Sequence, residues 1–203
     1  MVGVESRGAP TAKRAAIQAA VLEATEALLA EGTPYPELNI ERIATRAGIS
    51  RTAFYFYFRD KRELLMRLTE DVTQRLYAES DIWFSGEGEP VEELGRALRN
   101  VAALYRAHGD VLRAIVDAAA ADEEVARFWH AIIDRFIAAT QRRIEDERAA
   151  GQPAAGEPRA TAFALCWMTE RTFHQQFLLS KPVPQDELVA ALTGIWVRTI
   201  YGA

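Results

Sequence analysis

The chain has 203 residues, 49% of them hydrophobic and 26% charged, with a formal net charge of −5, a composition typical of a soluble globular protein. It contains no apolar run of about 18 residues and no apolar secretion signal near the N-terminus, so we expect a cytoplasmic protein without membrane spans. With one cysteine, Cys166, and three scattered histidines, the sequence excludes an internal disulfide framework and predicts neither a metal site nor a cofactor.

Helical periodicity runs along almost the whole chain, and no segment alternates like a half-buried strand. We therefore predict an all-α fold of about nine helices. The first helix is predicted over residues 11–31 and stops at Gly32, which Pro34 and Pro36 follow.

Two short helices are predicted next, between the first helix and another long one. Asn39 is the expected N-cap of the first short helix, which ends at Gly48, and Ser50 is the expected N-cap of the second. Asp60, with Glu63 three residues later, predicts a capping box at the start of the long helix.

We expect that long helix to end near residues 76–77, before the loose stretch FSGEGEP. The remaining helices are predicted at about 90–107, 109–120, 122–149, 157–180 and 185–201.

Positive charge is concentrated near the N-terminus, although the whole chain is acidic. Residues 1–62 carry nine Lys and Arg against seven Asp and Glu, a net charge of +2, and the remainder carries −7. Six basic residues and a single acid lie between Arg42 and Arg62. A small basic segment attached to a larger acidic body indicates a nucleic-acid-binding module.

The apolar residues of 40–58 predict one small core shared by the two short helices, which is the geometry of a helix-turn-helix. Phe54 and Phe58 lie four residues apart on one face, so we expect both to be buried. Arg51, Thr52 and Tyr55 point elsewhere. The aromatic-rich run is therefore predicted to divide into an inner and an outer set.

The run IATRAGISRTAFYFYFRDKRELL, residues 43–65, resembles the signature of the tetracycline-repressor (TetR) family. This implies a three-helix DNA-binding domain over 1–62 and a helical ligand-binding and dimerisation domain over 63–203. Phosphate contacts of the family fall on Tyr55, Tyr57 and Lys61, and base contacts on residues 51–53. Family members often have proline and histidine where this chain has Thr52 and Tyr57. We expect DNA contacts from Arg46, Arg51, Thr52, Ala53, Tyr55, Tyr57 and Lys61.

The chemistry of these side chains agrees with that assignment. Lys61 stands in the first turn of a helix, where backbone N–H groups and the helix dipole attract a phosphate. The tyrosines supply hydroxyl donors, and Arg51 has the forked guanidinium that bonds O6 and N7 of guanine. We expect further contacts from an N-terminal arm with Arg7, Lys13 and Arg14.

One later stripe places a carboxylate within an aromatic helix face. Glu170 should have a partner, because an unpaired buried carboxylate is costly or changes its pKa, and an arginine, a ligand and a second subunit remain open as that partner. Cys166 on the same stripe is expected to be an inert packed thiol. The stripe comprises Phe163, Cys166, Trp167, Glu170, Phe173, His174 and Phe177.

The stretches MTERT (168–172) and GIWVRTIYG (194–202) are similar to the ethionamide-resistance-repressor branch of that family, which implies an aromatic-lined tunnel for a small hydrophobic ligand. Two polar anchoring positions, asparagines in that branch, are Cys166 and Thr169 here, so the ligand is expected to differ. The expected ligand-binding residues are Leu94, Leu98, Val101, Tyr105, Trp129, Ile133, Phe136, Cys166, Trp167, Thr169, Glu170, Phe173 and Trp196.

The resemblance also implies a homodimer formed through the helices at about 157–180 and 185–201, which calls for a palindromic operator. We therefore predict a transcriptional repressor that a small apolar ligand releases from double-stranded DNA. The alternatives are an activator without a physiological ligand and a helical protein that binds apolar ligands without nucleic acid. An enzyme is disfavoured, because Glu170 with His174 is the one acid–base pair that the sequence indicates.

Overall fold

The computed structural model describes residues 9–152, 156–178 and 182–202, with backbone alone for residues 9–11, 177 and 178. This part of the chain contains α-helices and one short 3₁₀ turn but no strand, which confirms the all-α prediction. None of its helices combines the length and apolar character needed to span a bilayer. The elements are α1 (Ala9–Ala30), the 3₁₀ turn (Tyr35–Glu37), α2 (Ile40–Arg46), α3 (Arg51–Phe54), α4 (Lys61–Phe84), α5 (Pro90–Ala119), α6 (Glu123–Ala149), α7 (Pro158–Leu178) and α8 (Gln185–Tyr201).

The chain divides into two compact units, Met1–Thr69 and Glu70–Ala203. In the N-terminal unit, the two predicted N-caps are confirmed. The Asn39 side chain accepts a hydrogen bond from the Arg42 backbone N–H at 2.8 Å, and the Ser50 hydroxyl accepts one from the backbone N–H of Ala53 at 3.1 Å. Gly48 lies between the two short helices with φ +72°, a conformation that favours glycine.

The start of α4 is also as predicted, with one difference in its capping box. The Asp60 carboxylate accepts from the Glu63 backbone N–H at 2.8 Å, and the Glu63 carboxylate accepts from the backbone N–H of Arg59 at 2.7 Å, not from that of Asp60. Both bonds satisfy N–H groups near the helix start, which fixes where α4 begins.

The predicted end of α4 near residues 76–77 is wrong, because the helix continues to Phe84. Its buried face continues through Leu76, Ser80 and Trp83 at helical spacing, and the Ser80 hydroxyl donates to the Leu76 carbonyl at 2.8 Å. The first glycine after these residues is Gly86, so nothing earlier in the sequence ends the helix.

The two helices predicted at 90–107 and 109–120 form one element, α5, which is kinked at His108 with φ −124° and ψ 19°. Gly109 therefore marks a kink and not a helix end. The helix resumes because the residues beyond the kink, Val111, Leu112 and Ile115, are fully buried.

The last three helices begin within one residue of the predicted positions. The Asp122 side chain caps α6 by accepting from the backbone N–H groups of Glu124 and Val125. Residues 153–155 and 179–181, which belong to the predicted loops and to the end of the predicted helix 157–180, lie outside the described residues, as does Arg7.

Candidate nucleic-acid interface and internal cavity

The second short helix of the N-terminal unit presents an exposed face. Arg51 and Thr52 are exposed at its start, and Tyr55 and Phe56 are exposed just after its end. These four side chains surround a shallow concavity on the surface of the unit. A guanidinium, two hydroxyls and an apolar ring are thus available together to a molecule that docks here.

The aromatic run divides into buried and exposed rings as predicted. Phe54 and Phe58 are 0% and 2% exposed, and their ring centroids lie 5.5 Å apart. Tyr55 makes an edge contact with Phe54 and keeps about half of its surface exposed. Tyr57 is partly buried, with the guanidinium carbon of Arg14 5.5 Å from its ring centroid. Phe56 is 71% exposed.

Lys61 was predicted to contact a phosphate, but its ammonium group is directed at the protein's own backbone carbonyls. Its ammonium donates to the carbonyls of Tyr35 at 2.9 Å, Pro36 at 3.2 Å and Leu38 at 2.9 Å, and it lies 4.5 Å from the centroid of the Tyr35 ring. Burial lowers the pKa of Lys61. An ammonium has three N–H donors, so the three carbonyls use all of them. In this conformation Lys61 clamps the 3₁₀ turn onto the start of α4.

The remaining basic residues of this region lie at the surface. Arg46 pairs with Glu31 at 2.7 Å, and both side chains are about half exposed. Such a surface pair contributes little to stability, typically about 0–1 kcal/mol, so the arginine is easily redirected to another anion. Lys13 and Arg14 are exposed on α1.

The C-terminal unit contains a cavity of about 90 Å³, which α4, α5, α6, α7 and α8 line mainly with apolar side chains. Most of the residues predicted to form a tunnel lie around it. They are Leu94, Leu98, Val101, Tyr105, Trp129, Ile133, Phe136, Cys166, Thr169, Glu170 and Trp196.

Two of the predicted residues, Trp167 and Phe173, do not belong to the lining. Trp167 is only partly buried and makes ring contacts with His130 and Phe163, because it lies on a different side of α7 from Cys166. Phe173 is buried behind the lining, with its ring centroid 5.2 Å from that of Tyr105.

The sequence interpretation missed a whole wall of the cavity. The wall comes from α4, where Ser80, Trp83 and Phe84 lie beyond the predicted helix end, and its three-and-four spacing is the signal that identifies it. The missed residues are Thr73, Leu76, Ser80, Trp83 and Phe84 on α4, together with Ala97, Ile132 and Thr140.

The neutral hydroxyl groups in the lining have partners within the protein. The Thr140 hydroxyl lies 3.4 Å from the Cys166 sulfur, and Thr169 accepts from the indole N–H of Trp196 at 3.0 Å. Thr73 and Ser80 donate to backbone carbonyls of their own helix. Burial raises the pKa of the Cys166 thiol to about 11, so the thiol stays protonated near neutral pH.

Glu170 is the exception among these polar groups. Its side chain is buried, 5% exposed, and neither carboxylate oxygen has a hydrogen-bond partner. Burial raises the pKa of this carboxyl group, and the nearby Arg171 guanidinium opposes that effect. The Arg171 Nε lies 3.6 Å from the closer oxygen, and that side chain is about half exposed. Burial, and next the Glu170 charge, raise the pKa of Tyr105.

Together, a helix-turn-helix with an exposed basic face and a helical unit with an internal apolar cavity define a DNA-binding transcriptional regulator. Residues 21–68 match the family model described as bacterial regulatory proteins of the tetR family, and residues 94–202 match the model for the C-terminal domain of the transcriptional regulator EthR. The chain belongs to the TetR family of transcriptional regulators.

Curated relatives support this membership. The chain is 32% identical over 190 residues to the transcriptional regulator EthR of Mycolicibacterium smegmatis, covering 91% of this chain and 86% of the relative. It is 33% identical over 198 residues to EthR of Mycobacterium tuberculosis, covering 90% and 86%. These relatives are transcriptional regulators and not enzymes.

Solved structures share the fold at lower identity. A transcriptional regulator from Pseudomonas aeruginosa is similar with a TM-score of 0.76 and 17% identity, covering 92% of this chain and 90% of that one. FadR of Bacillus subtilis, solved in complex with stearoyl-CoA, is similar with a TM-score of 0.72 and 15% identity, covering 89% and 98%.

Proposed function

We propose that the protein is a repressor that binds a palindromic operator as a homodimer and releases it when a small apolar molecule occupies the cavity. The observation that carries this proposal is the apolar cavity, which lies in a chain whose helix-turn-helix exposes basic and hydroxyl side chains. A regulator of DNA acts where the chromosome is, so the proposal includes a cytoplasmic location.

In this proposal, residues at the start of α3 contact the DNA bases. Arg51 and Thr52 are exposed there, and Ala53 is small enough to let a base edge approach. Arginine bonds guanine in the major groove through two parallel N–H donors, which gives it specificity for that base. Tyr55 is exposed beside them and supplies a hydroxyl to a phosphate.

Beside the base-reading residues, we assign phosphate contacts to Tyr57, to Arg46 and to the position of Lys61. Arg46 can exchange its surface partner for a phosphate at little cost. Because the Lys61 ammonium already donates to three carbonyls, we assign the phosphate contact at this position to the backbone at the start of α4. The Lys61 side chain then acts indirectly, by holding the 3₁₀ turn against that helix start.

The dimer in this proposal forms through α7 and α8. Both helices keep large apolar side chains exposed within the single chain, Phe163 on α7 and Ile195 on α8. Exposed apolar side chains on adjacent elements support an interface between copies of the chain. A two-fold dimer presents two reading helices to two half-sites.

The ligand acts by binding one conformation of the dimer more tightly than the conformation that fits the operator. The cavity of about 90 Å³ is small beside the roughly 300–1,000 Å³ of sites for drug-sized molecules. The ligand is therefore slender, or the lining opens to admit it. The stearoyl-CoA bound by the structurally similar FadR supports a ligand within this fold.

The proposal is tested by measuring the binding of labelled duplexes from upstream of the protein's own gene, with and without the Arg51→Ala substitution. We expect Arg51→Ala to reduce the affinity for the specific duplex by about tenfold or more, since a bidentate arginine–guanine contact provides about 1–3 kcal/mol of discrimination. Arg127→Ala, which removes an exposed arginine of α6, is the matched control and should leave the affinity unchanged. Equal affinities for both variants would contradict the assigned reading helix.

A further inference from the structure

We propose that the ligand of the cavity is an apolar amine, whose protonated nitrogen is held by the carboxylate of Glu170. This inference rests on the proposed function, to which it adds the chemical class of the ligand and the residue that selects it. It is carried by the position and the unsatisfied hydrogen bonding of that one side chain.

The lining of the cavity includes a strong acceptor that the protein itself leaves without a hydrogen-bond donor. Both oxygens of Glu170 are inaccessible to solvent and lack a hydrogen bond, although the side chain lines the cavity. By contrast, the hydroxyls of Thr140 and Thr169 in the same lining each interact with a neighbouring side chain. A buried charge without hydrogen bonds is strongly unfavourable, so a donor that enters the cavity gains more at Glu170 than at these neighbours.

Arg171 does not supply that donor. Its Nε lies 3.6 Å from Oε2 of Glu170, which is beyond hydrogen-bonding distance, and its side chain is about half exposed. Water therefore screens the attraction between the two charges. Arg171 is the one ion-pair partner of Glu170 among the described residues, so the carboxylate still lacks a hydrogen-bonded cation.

The surroundings of Glu170 also favour a cation with an apolar body. Among the described residues of the lining, Glu170 is the one Asp, Glu, Lys, Arg or His, so any charge that this group contributes is negative. The rings of Tyr105, Trp129 and Trp196 line the same cavity, and aromatic rings attract ammonium groups. An anionic ligand would instead meet a like charge in a site with few compensating donors.

Donor number distinguishes an amine from a neutral polar ligand. An ammonium has three N–H groups, so one nitrogen can donate to both oxygens of Glu170, whereas an alcohol has one donor. Burial raises the pKa of the Glu170 carboxyl group, which favours its neutral form, whereas a cation beside it lowers that pKa and favours the carboxylate.

The cavity volume determines suitable probes. At about 90 Å³ the cavity suits a slender chain better than a ring, so a matched set consists of n-pentylamine, n-pentanol and pentanoate. The three differ only in the terminal group. Their affinities for the full-length protein are measured by isothermal titration calorimetry at neutral pH.

We expect n-pentylamine to bind at least about tenfold more tightly than n-pentanol, and pentanoate to bind most weakly of the three. The Glu170→Gln variant should bind n-pentylamine no more tightly than n-pentanol, while its affinity for n-pentanol equals that of the wild type. Glu145→Gln, which removes an exposed carboxylate on α6, is the matched control for a general loss of negative charge and should keep the preference.

The outcomes separate this inference from the proposed function. Equal binding of amine and alcohol by the wild-type protein would overturn the amine assignment and leave the apolar ligand cavity intact. A preference for amine that persists in Glu170→Gln would overturn the role of this carboxylate. If none of the three probes binds, both the amine assignment and the ligand-binding role of the cavity are contradicted, while operator binding is judged by its own measurement.

Discussion

The indole N–H of Trp83 donates a hydrogen bond to the hydroxyl of Tyr201 at 2.9 Å, across 118 residues of sequence. The same hydroxyl donates to the Glu147 carboxylate at 3.1 Å, and Arg143 pairs with that carboxylate at 2.8 Å. Arg143 also donates to the carbonyl of Gly86 at 2.9 Å. This buried chain connects the ends of α4 and α8 to α6, beside the wall of the cavity that Trp83 lines.

We predict that Tyr201→Phe lowers the free energy of unfolding by about 1–3 kcal/mol, because it leaves a buried indole N–H and a carboxylate oxygen without their shared partner. The measurement is urea denaturation followed by circular dichroism. Tyr55→Phe removes the hydroxyl of an exposed tyrosine and should change stability by less than about 0.5 kcal/mol. Similar losses in the two variants would show that the buried network is not stabilising.

Lys61→Met is predicted to destabilise the protein, since the three carbonyls of residues 35, 36 and 38 lose a charged donor. Hydrogen bonds to charged groups contribute about 1.5–3 kcal/mol, and methionine keeps most of the apolar stem. Lys13→Met, at an exposed position on α1, is the control and should be nearly neutral. If Lys61→Met instead kept full stability and lost only affinity for DNA, its ammonium would be a phosphate ligand and not a clamp.

Substitutions of Gly48, in the turn between α2 and α3, should lower the stability of the protein. Gly48 has φ +72°, and no atom lies within 4 Å of the position that a Cβ would take there, so backbone strain alone opposes a side chain. Gly48→Ala should cost about 1–2 kcal/mol, and Gly48→Asn should cost less because asparagine tolerates this conformation better. Thermal unfolding of the two variants measures the difference. Equal stabilities for alanine and asparagine would argue against a strained turn.

The stability of the protein should depend on pH through Glu170. Burial raises the folded-state pKa of this carboxyl group above its unfolded value of about 4.3, so its contribution is most favourable below that pH and is lost as pH rises through the folded pKa. Glutamine carries no charge, so Glu170→Gln should gain stability relative to the wild type as the pH is raised. Denaturation midpoints of both proteins at several pH values from about 4 to about 8 test this sign.

Glu145→Gln serves again as the control for that comparison, because Glu145 is exposed and accepts a hydrogen bond from the amide of Gln141 on its own helix. This control separates the buried position of Glu170 from the general effect of removing one negative charge. If the stability difference between Glu170→Gln and the wild type stays constant with pH, the buried carboxyl group does not titrate as proposed.

Much of the N-terminal unit was predictable because its signals are local. The caps at Asn39 and Ser50 and the burial of Phe54 and Phe58 follow from residues within one or two helical turns of each other. The clamp by Lys61 was not predictable, because its carbonyl partners lie 23 to 26 residues earlier and any residue type provides a carbonyl.

The cavity was predictable in part. Residues on α5 to α8 were identified through family resemblance, whereas Ser80, Trp83 and Phe84 of α4 were missed because that helix was predicted to end too early. Periodicity shows that a helix face is apolar, but it does not show whether that face meets a packed neighbour or an opening. The same limit applies to Glu170, whose need for a partner was evident from the sequence, although its lack of a hydrogen-bond donor required the structure.

The central claim is tested most directly by the salt dependence of binding to DNA from upstream of the protein's own gene, with a nonspecific duplex as control. A repressor with the proposed interface should protect a palindromic segment, and its affinity should fall steeply between low and moderate salt as phosphate contacts release counterions. Failure to bind any duplex at either salt concentration would contradict the proposed interface.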